Sequence, residues 1–310
     1  MTTIKELTQE DYFLSGHTAC PGCGGAMVVR ETMKVLGPNT VVYMPASCLL
    51  IFSDMYPYNA FKVPSLQVLF ETSAICASGI KRALKRLGKD DVTVVAFAGD
   101  GGTADIGMQA LSGAAERNED ILYVCYDNEA YMNTGIQRSG TTPFGAWTTT
   151  TPLGGTSEGK GKNEFKKDVP RILMAHDVPY VATASLGFPA DFLKKLDKAK
   201  AKKGFRYLHV LAPCPVGWRA ESDTTVDLAK LAVETGIFTL LEFEDGVLTL
   251  NREPRFTPVR EYLKLQGRFR HLKDDQIATI EKWVKDKWER DRALAKALGP
   301  KPKPQIVVTK

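Results

Sequence analysis

Two short apolar runs, each followed by a turn of polar residues, restrict the possible folds of this chain more than any other feature of its sequence. The first, at 92–98, reads Val-Thr-Val-Val-Ala-Phe-Ala, and the second, at 121–126, reads Ile-Leu-Tyr-Val-Cys-Tyr. Apolar, β-branched runs without polar alternation are typical of buried parallel strands. Between the runs, apolar side chains recur at helical spacing: Ile106, Met108, Leu111 and Ala114. The segment is therefore predicted to form a βαβ unit of an open α/β sheet.

The turns that follow the two predicted strands carry oxygen atoms and glycines. Asp100, in Gly99-Asp100-Gly101-Gly102, offers a carboxylate, and Asn128 offers a side-chain carbonyl. Ligands bind at the carboxyl ends of strands in open α/β sheets, and such oxygens suit a Mg²⁺ ion that carries a diphosphate. Gly-Asp-Gly alone also fits an ordinary strand-to-helix turn. With Asn128 after 26 intervening residues, 102–127, it resembles the thiamine diphosphate motif of transketolases, pyruvate decarboxylases and their relatives.

Four of the six cysteines have the arrangement of ligands to one metal centre. Cys20 and Cys23 form a C-x-x-C pair, Cys48 follows 25 residues later, and Cys214 lies a further 166 residues along the chain. Four sulfurs serve a structural zinc ion or a [4Fe–4S] cluster, and the spacing does not choose between them. Disulfides are less favoured because the first twenty residues do not resemble a secretion signal. Cys76 and Cys125 lie among apolar residues and are predicted to be core residues.

Four long stretches of the chain resemble the β subunit of the 2-oxoacid:ferredoxin oxidoreductases, of which the pyruvate enzymes are the best known. They are Gly16–Gly24, Phe97–Gly107, Tyr126–Gly140 and Ala212–Trp218, so the resemblance extends from about residue 12 to about residue 250. It implies a thiamine diphosphate-binding fold with a mostly parallel sheet flanked by helices. It also favours an iron–sulfur cluster over zinc.

The resemblance assigns roles to individual residues. It implies that a [4Fe–4S] cluster is held by Cys20, Cys23, Cys48 and Cys214. It implies that Mg²⁺ is bound by Asp100, Asn128 and the backbone carbonyl of Ala130. Further contacts to thiamine diphosphate are expected from Gly99, Gly101, Gly102, Thr103 and Thr134, and Asn133 is expected beside the substrate.

The same resemblance implies partners. In the family, the glutamate that activates thiamine belongs to another subunit, so this chain is expected to need an α subunit that supplies it. A ferredoxin-like subunit and external ferredoxin are expected to accept the electrons. Two hypotheses from other classes remain open: a non-redox thiamine enzyme with structural zinc, and an electron carrier without thiamine.

The segment at the third cysteine bears on the substrate. Pyruvate enzymes of the family usually have Thr-Gly before this cysteine, whereas this chain has Ala46-Ser47-Cys48. The pattern is most similar to the oxalate-oxidising member, which converts oxalate to two molecules of CO₂. A dianion without a methyl group favours donors such as Asn133, Ser47 or Arg138. Oxalate is therefore the predicted substrate, and pyruvate, converted to acetyl-coenzyme A, is the alternative.

The remaining chain alternates predicted strands and helices. Strands are expected at 179–184 and 207–211, helices at 191–201, 226–235 and 275–296, and a hairpin at 238–250. The predicted division is a cofactor domain at 1–236 and a C-terminal segment at 237–310 that packs on partner subunits. A polar loop at 148–162 is predicted to be a binding loop or lid, with disorder as the alternative.

Charge and hydropathy exclude some functions. The net charge is +5 in 310 residues, and lysines cluster at 194–195, at 198–203 and in the tail at 301–304. Solvated helix faces and a mobile end explain such clusters better than nucleic-acid binding, because no base-stacking aromatic pattern accompanies them. No apolar stretch approaches the ~20 residues that span a membrane. A soluble cytoplasmic protein is predicted.

Overall fold

Eight strands of the described residues pair into one sheet. In this computed structural model the described residues are 7–55, 57–151 and 161–300. The strands are β1 (Thr40–Pro45), β2 (Ser65–Val68), β3 (Thr93–Gly99), β4 (Leu122–Asp127), β5 (Tyr180–Ser185), β6 (Arg206–Leu211), β7 (Leu241–Glu244) and β8 (Val247–Leu250). Their order is β2-β1-β3-β4-β6-β5-β7-β8. The pairs among β1 to β6 are parallel, and β7 and β8 form an antiparallel hairpin beside β5. The predicted mostly parallel α/β sheet is confirmed.

Helices follow most of the parallel strands. They are α1 (Gly24–Leu36), α2 (Cys48–Ser53), α3 (Ser73–Arg86), α4 (Met108–Glu116), α5 (Val169–Met174), α6 (Pro189–Ala201), α7 (Pro215–Trp218), α8 (Thr225–Glu234), α9 (Val259–Leu263) and α10 (Asp274–Ala297). The helices predicted at 191–201, 226–235 and 275–296 correspond to α6, α8 and α10. Their ends differ from the prediction by at most two residues, the range within which helix ends fray.

Helices cover the central strands on both faces. In β3, Val95 and Phe97 point into one core layer together with apolar residues of α1 and α6. Val94, Ala96 and Ala98 point into the opposite layer with residues of α3, α4 and α5. Successive side chains of a strand point to opposite faces, so a strand covered on both faces needs apolar residues at every position. This burial explains the unbroken apolar run from which β3 was predicted.

The apolar stripe of α10 packs inside this chain. Ile277, Ile280, Val284 and Trp288 are buried in a third core layer with residues of α8 and α9, and the indole Nε1 of Trp288 donates a hydrogen bond to the carbonyl of Gly236 at 2.8 Å. The C-terminal hairpin of β7 and β8 pairs with β5 and so extends the sheet that contains β3 and β4. Most of the stripe is therefore used within this chain, and the division at residue 236 and the packing on partner subunits stay predictions.

The sequence predicted that the clustered lysines lie on solvated helix faces or in a mobile tail, and that 148–162 is a loop. Lys195 was expected on a solvated helix face, but it is buried and its Nζ pairs with Asp191 at 2.6 Å. Lys198 of the same helix pairs with Glu242 of β7 at 2.8 Å. Residues 152–160 of the predicted 148–162 loop, and the lysines of the 301–304 tail, lie outside the described residues. No helix in the described part of the chain combines the length and apolar character of a membrane span.

Candidate active site

The strand order of the sheet reverses between β1 and β3, and a crevice lies at this point. The connection after β1 leads to β2 on one side, whereas the connection after β3 leads to β4 on the other side. Open α/β sheets bind ligands outside the carboxyl ends of strands at such a switch point. A cavity of about 120 Å³ is found here, lined by residues that follow β1 and residues that end β3. The topology therefore places a ligand site where the sequence predicts one.

Most of the predicted cofactor and substrate residues line this first cavity. They are Ser47, Gly99, Gly101, Gly102, Asn128, Ala130, Asn133 and Thr134. The ring of Tyr131 forms part of the wall, and its hydroxyl donates a hydrogen bond to the carbonyl of Gly101 at 3.1 Å. A Cβ atom on Gly101 would lie 2.4 Å from that ring. Glycine at position 101 is thus required by the close approach of Tyr131.

Asp100 is a fully buried carboxylate behind this cavity. Its Oδ2 accepts hydrogen bonds from the hydroxyls of Ser139 and Thr141, and no cation of the described residues forms an ion pair with it, whereas Asp127 pairs with Lys166. Burial, followed by the charge of Asp127, raises the pKa of Asp100 to about 8. A buried carboxylate without a counterion is costly, and a bound divalent cation would offset that cost.

Asn128 and Ala130 bring two further polar groups to Asp100. One terminal atom of the Asn128 amide lies 2.9 Å from Oδ1 of Asp100 and 2.9 Å from the carbonyl oxygen of Ala130. If that atom is nitrogen, it donates hydrogen bonds to the Asp100 and Ala130 oxygens. If it is oxygen, three oxygens face one another, and a bound cation offsets their repulsion. Mg²⁺–O bonds of about 2.1 Å place adjacent oxygens of an octahedron about 3 Å apart. The three groups therefore fit a Mg²⁺ ion.

The four cysteines predicted to bind one metal centre line a second cavity, of about 100 Å³. Cys20 and Cys23 precede α1, Cys48 begins α2, and Cys214 directly precedes α7. All four are free thiols. Burial, followed by the neighbouring thiols, raises the pKa of Cys48 to about 12. A metal centre at this position would displace the thiol protons, because thiolates are the ligands.

The second cavity has the soft donors of a metal centre in its lining, since cysteines from three separate turns face it. Within residues 7–55, 57–151 and 161–300, no group of three or more His, Cys, Asp or Glu side chains is arranged around a single metal ion. Cys125 is fully buried in the core layer of α3 and α4, and Cys76 lies partly buried at the edge of the same layer. Neither lines the second cavity.

The two cavities share one wall. Its members line both cavities: Cys48, Ile51, Tyr126, Asn128 and Asn133. Tyr126, at the end of β4, fills the space between them, and its hydroxyl accepts a hydrogen bond from the backbone N–H of Leu49 at 3.4 Å. A single layer of side chains, to which Cys48 itself belongs, therefore separates a group bound in the first cavity from Cys20, Cys23 and Cys214.

Two predicted site residues lie away from the first cavity. Arg138 was expected to contact the substrate, but its guanidinium lies 3.6 Å from the carboxylate of Glu164 and it does not line the cavity. This position does not support a substrate contact. Thr103 is buried behind the cavity, where its hydroxyl donates to the carbonyl of Gly99 at 2.8 Å. Its observed contact thus supports the glycine turn.

Several residues of the site were missed by sequence reasoning. Ser139 and Thr141 hold Asp100, and the hydroxyl-rich stretch that follows Arg138 was a local signal for them. Trp218 donates a hydrogen bond from its indole to the carbonyl of Asn128 at 2.8 Å. Lys166 and Arg268 reach the same turn from distant parts of the chain. No local pattern marks a lysine or arginine that acts across such distances.

Comparisons with known proteins show which family this chain is similar to. Residues 51–210 match the family model "Thiamine pyrophosphate enzyme, C-terminal TPP binding domain". Pyruvate synthase subunit PorB of Methanothermobacter thermautotrophicus is 52% identical over 280 residues, which cover 90% of this chain and 96% of that protein. Ketoisovalerate oxidoreductase subunit VorB of Pyrococcus abyssi is 48% identical over 305 residues, which cover 94% of this chain and 95% of that protein.

A solved structure shares the fold. It is a 2-oxoglutarate:ferredoxin oxidoreductase from Magnetococcus marinus, which aligns with a TM-score of 0.55 over 70% of this chain and 79% of that chain. The sequences are 23% identical. The similarity therefore supports the fold and carries nothing further about the site.

Proposed function

The chain belongs to the family of 2-oxoacid:ferredoxin oxidoreductase β subunits that includes PorB and VorB, and from this premise we propose that its two cavities bind thiamine diphosphate with Mg²⁺ and a [4Fe–4S] cluster. Thiamine diphosphate supplies the electron sink on which 2-oxoacids are decarboxylated. Asp100, Asn128 and the Ala130 carbonyl hold Mg²⁺, and Cys20, Cys23, Cys48 and Cys214 hold the cluster. Gly101 and Gly102 admit the diphosphate.

The wall shared by the two cavities is the observation that carries this proposal. A thiamine site needs no metal–thiolate centre for decarboxylation alone, whereas an oxidoreductase needs an electron acceptor nearby. Zinc has no redox chemistry, and a [4Fe–4S] cluster bound by four cysteines does. The single layer formed by Cys48, Tyr126 and their neighbours favours the cluster over zinc, and membership of an oxidoreductase family gives no support to a non-redox enzyme.

This chain supplies only part of the active site in the proposed complex. The first cavity has about 120 Å³, whereas pockets for cofactor-sized ligands usually enclose about 300–1,000 Å³. We infer that an α subunit completes the pocket and supplies the activating glutamate. A ferredoxin-like subunit and external ferredoxin accept the electrons, and the complex works in the cytoplasm.

The substrate we propose is a 2-oxoacid with a small aliphatic side chain, pyruvate first. The oxalate prediction has no support from the comparisons, because the similar proteins are named for pyruvate and ketoisovalerate. The cavity also lacks the Arg138 cation expected for a dianion, and it has an apolar wall that includes Leu50, Ile51 and Met132. Such a wall suits a methyl or isopropyl group. The VorB similarity makes 2-oxoisovalerate the second candidate.

Viologen reduction by the anaerobically purified complex tests the substrate. Pyruvate, 2-oxoisovalerate and oxalate are each supplied with and without coenzyme A. We expect coenzyme A-dependent turnover of pyruvate, with a kcat/KM at least tenfold above that for 2-oxoisovalerate, and none with oxalate. Turnover of oxalate without coenzyme A would contradict the substrate assignment. Protein that contains zinc in place of iron, or that does not retain thiamine diphosphate, would contradict the proposed function itself.

A further inference from the structure

Glu129 has an unusual backbone between two of the proposed Mg²⁺ ligands. Its φ is +70°, in the left-handed region that L side chains rarely adopt. This conformation turns the chain so that the Asn128 side chain and the Ala130 carbonyl reach the same point beside Asp100. The geometry of the site thus depends on holding Glu129 in a conformation that it does not favour.

Two cations, the buried Arg268 and the partly buried Lys166, hold the Glu129 side chain. Nζ of Lys166 lies 2.6 Å from Oε1 of Glu129, and the guanidinium of Arg268 pairs with Oε2. Lys166 also lies 2.7 Å from Oδ2 of Asp127. One ammonium group therefore bridges the two residues that flank Asn128. The carboxylates of Asp127 and Glu129 are almost completely buried, with 0% and 2% of their side chains exposed, so water does not compete for them.

The backbone of the same turn is held from two further directions. The indole of Trp218 donates to the Asn128 carbonyl at 2.8 Å, and the Thr142 hydroxyl donates to the Glu129 carbonyl at 2.6 Å. The guanidinium of Arg268 lies over the Trp218 ring, 4.0 Å from its centroid. Arg268 therefore supports the turn twice, through Glu129 and through Trp218.

The ion pairs also decide which carboxylate is left for an external cation. Lys166 and Arg268 neutralise Asp127 and Glu129, and His209 adds a hydrogen-bonding contact to Asp127 at 2.9 Å. In the described residues, Asp100 receives hydroxyl hydrogen bonds and no ion pair. Without Lys166, the carboxylates of Asp100, Asp127 and Glu129 would lie near one another. Arg268 would neutralise Glu129 alone.

We propose that Lys166 is a positioning residue of the Mg²⁺–diphosphate site: it clamps Asp127 and Glu129 so that Asn128 and Ala130 face Asp100. This inference rests on the proposed function and adds a residue that touches neither the ion nor the cofactor. The clamp holds the left-handed turn and leaves Asp100 as the carboxylate that binds the metal. Lys166 therefore controls the affinity for Mg²⁺-bound thiamine diphosphate.

The experiment compares Lys166→Met with a matched variant, Lys198→Met. Lys198 likewise bridges two acids that are two residues apart, Glu242 at 2.8 Å and Glu244 at 3.1 Å, in a strand outside the site. The purified complex, stripped of thiamine diphosphate and metal with a chelator, is titrated with thiamine diphosphate in MgCl₂ by calorimetry. We expect Lys166→Met to bind at least tenfold more weakly, Lys166→Arg to recover most of the affinity, and Lys198→Met to bind like wild type.

Glu129→Gly keeps the test decisive if Lys166→Met does not fold. Glycine adopts φ +70° without strain, so this variant removes the clamp and keeps the backbone conformation accessible. We expect at least fivefold weaker binding. Wild-type affinity in a folded Lys166→Met or Glu129→Gly would overturn the proposal. If wild-type protein does not bind thiamine diphosphate at all, the proposed function is wrong; this is a different result from unchanged affinity in the variants.

Discussion

The six cysteines separate into two groups by their surroundings. Four line the second cavity from three turns that precede or begin helices, and two pack with the core layer of α3 and α4. The burial that raises the pKa of the Cys214 thiol to about 11 makes a free thiolate unfavourable there. A metal centre changes this balance, because its charge stabilises the thiolates.

Cys214→Ala is expected to abolish cluster binding. One ligand of four is lost, so iron content should fall below half of the wild-type value and viologen reduction should stop. Cys76→Ala, at the edge of the core, serves as the control and should keep both. Iron and sulfide analysis of anaerobically purified protein measures the outcome. Full iron content in Cys214→Ala would remove this cysteine from the proposed ligand set.

Lys162 is a buried cation that interacts with backbone carbonyls. Its side chain is almost completely buried, and its Nζ donates to the carbonyls of Gly140 and Thr142 at 3.1 and 2.6 Å. Burial, followed by the charges of Arg138 and Lys166, lowers the pKa of Lys162 from 10.5 to about 8. The folded protein therefore loses this proton at a lower pH than the unfolded chain does.

The unfolding free energy should depend on pH through Lys162. Between pH 8 and pH 10.5 the unfolded state binds more protons at this residue than the native state, so its contribution to stability rises with pH by about 1.4 kcal/mol per unit at most. We therefore expect the unfolding free energy of wild type, minus that of Lys162→Met, to increase from pH 8 to pH 10. Urea unfolding of both proteins measures it. A difference that stays constant or falls would show that the pKa is not lowered.

Among the elements, the π-helical turn Gly101–Ile106, which follows β3, packs closely against its neighbours. The Tyr131 ring lies against Gly101, and a Cβ on Gly107 would lie 2.1 Å from the carbonyl oxygen of Gly102. Asp105 accepts hydrogen bonds from the backbone of Gly140 at 2.8 Å and from the Tyr131 hydroxyl at 3.3 Å. The turn is therefore fixed by contacts to the segment that follows β4.

Gly101→Ala should displace Tyr131 and close the site to the diphosphate. The added methyl overpacks a buried position, which costs about 1–3 kcal/mol of stability, and we expect at least tenfold weaker binding of thiamine diphosphate. Gly79→Ala is the control, because a Cβ at this position of α3 meets no atom within 4 Å. It should stabilise the protein by up to about 1 kcal/mol and leave binding unchanged. Thermal unfolding and calorimetry distinguish the two variants.

At the scale of the whole molecule, the first cavity opens next to exposed apolar side chains. Ile51 lines the cavity and is 47% exposed, and Leu69 and Ile106, on neighbouring turns, are 68% and 52% exposed. Apolar groups of this size around a cavity that is too small for the cofactor are consistent with the α subunit proposed above. Helix α10 contributes to the chain's own core instead.

The isolated chain should not decarboxylate 2-oxoacids at a significant rate. It lacks the activating glutamate in the proposed arrangement, so pyruvate-dependent viologen reduction should fall at least a thousandfold, a change in the range attributed to acid–base groups. Added α subunit should restore activity, which should stop rising once the two subunits are present in a fixed ratio. Native turnover by the chain alone would show that its own residues activate thiamine.

The βαβ unit and much of the chain after it followed from local pattern. The runs at 92–98 and 121–126 became β3 and β4, shifted by one residue, because a strand buried on both faces leaves an unbroken apolar signature. The hairpin at 238–250 was also predicted, although its strands are confined to β7 and β8. No prediction was made for β1, β2, α1, α2, α3, α5, α7 and α9. Of these, β2, α2, α5, α7 and α9 have six residues or fewer, too few for a clear apolar periodicity.

Local sequence was also sufficient to indicate which residue types come together at the cofactor turns, since Asp100, Asn128 and the C-x-x-C pair are chemically distinctive. Tertiary structure decided the rest. It placed Arg138 against Glu164 and away from the cavity, and buried Lys195 and the α10 stripe inside the chain. It also brought Lys166 and Arg268 to Glu129. Ion pairs between residues distant in sequence depend on how elements pack, and no local pattern records that packing.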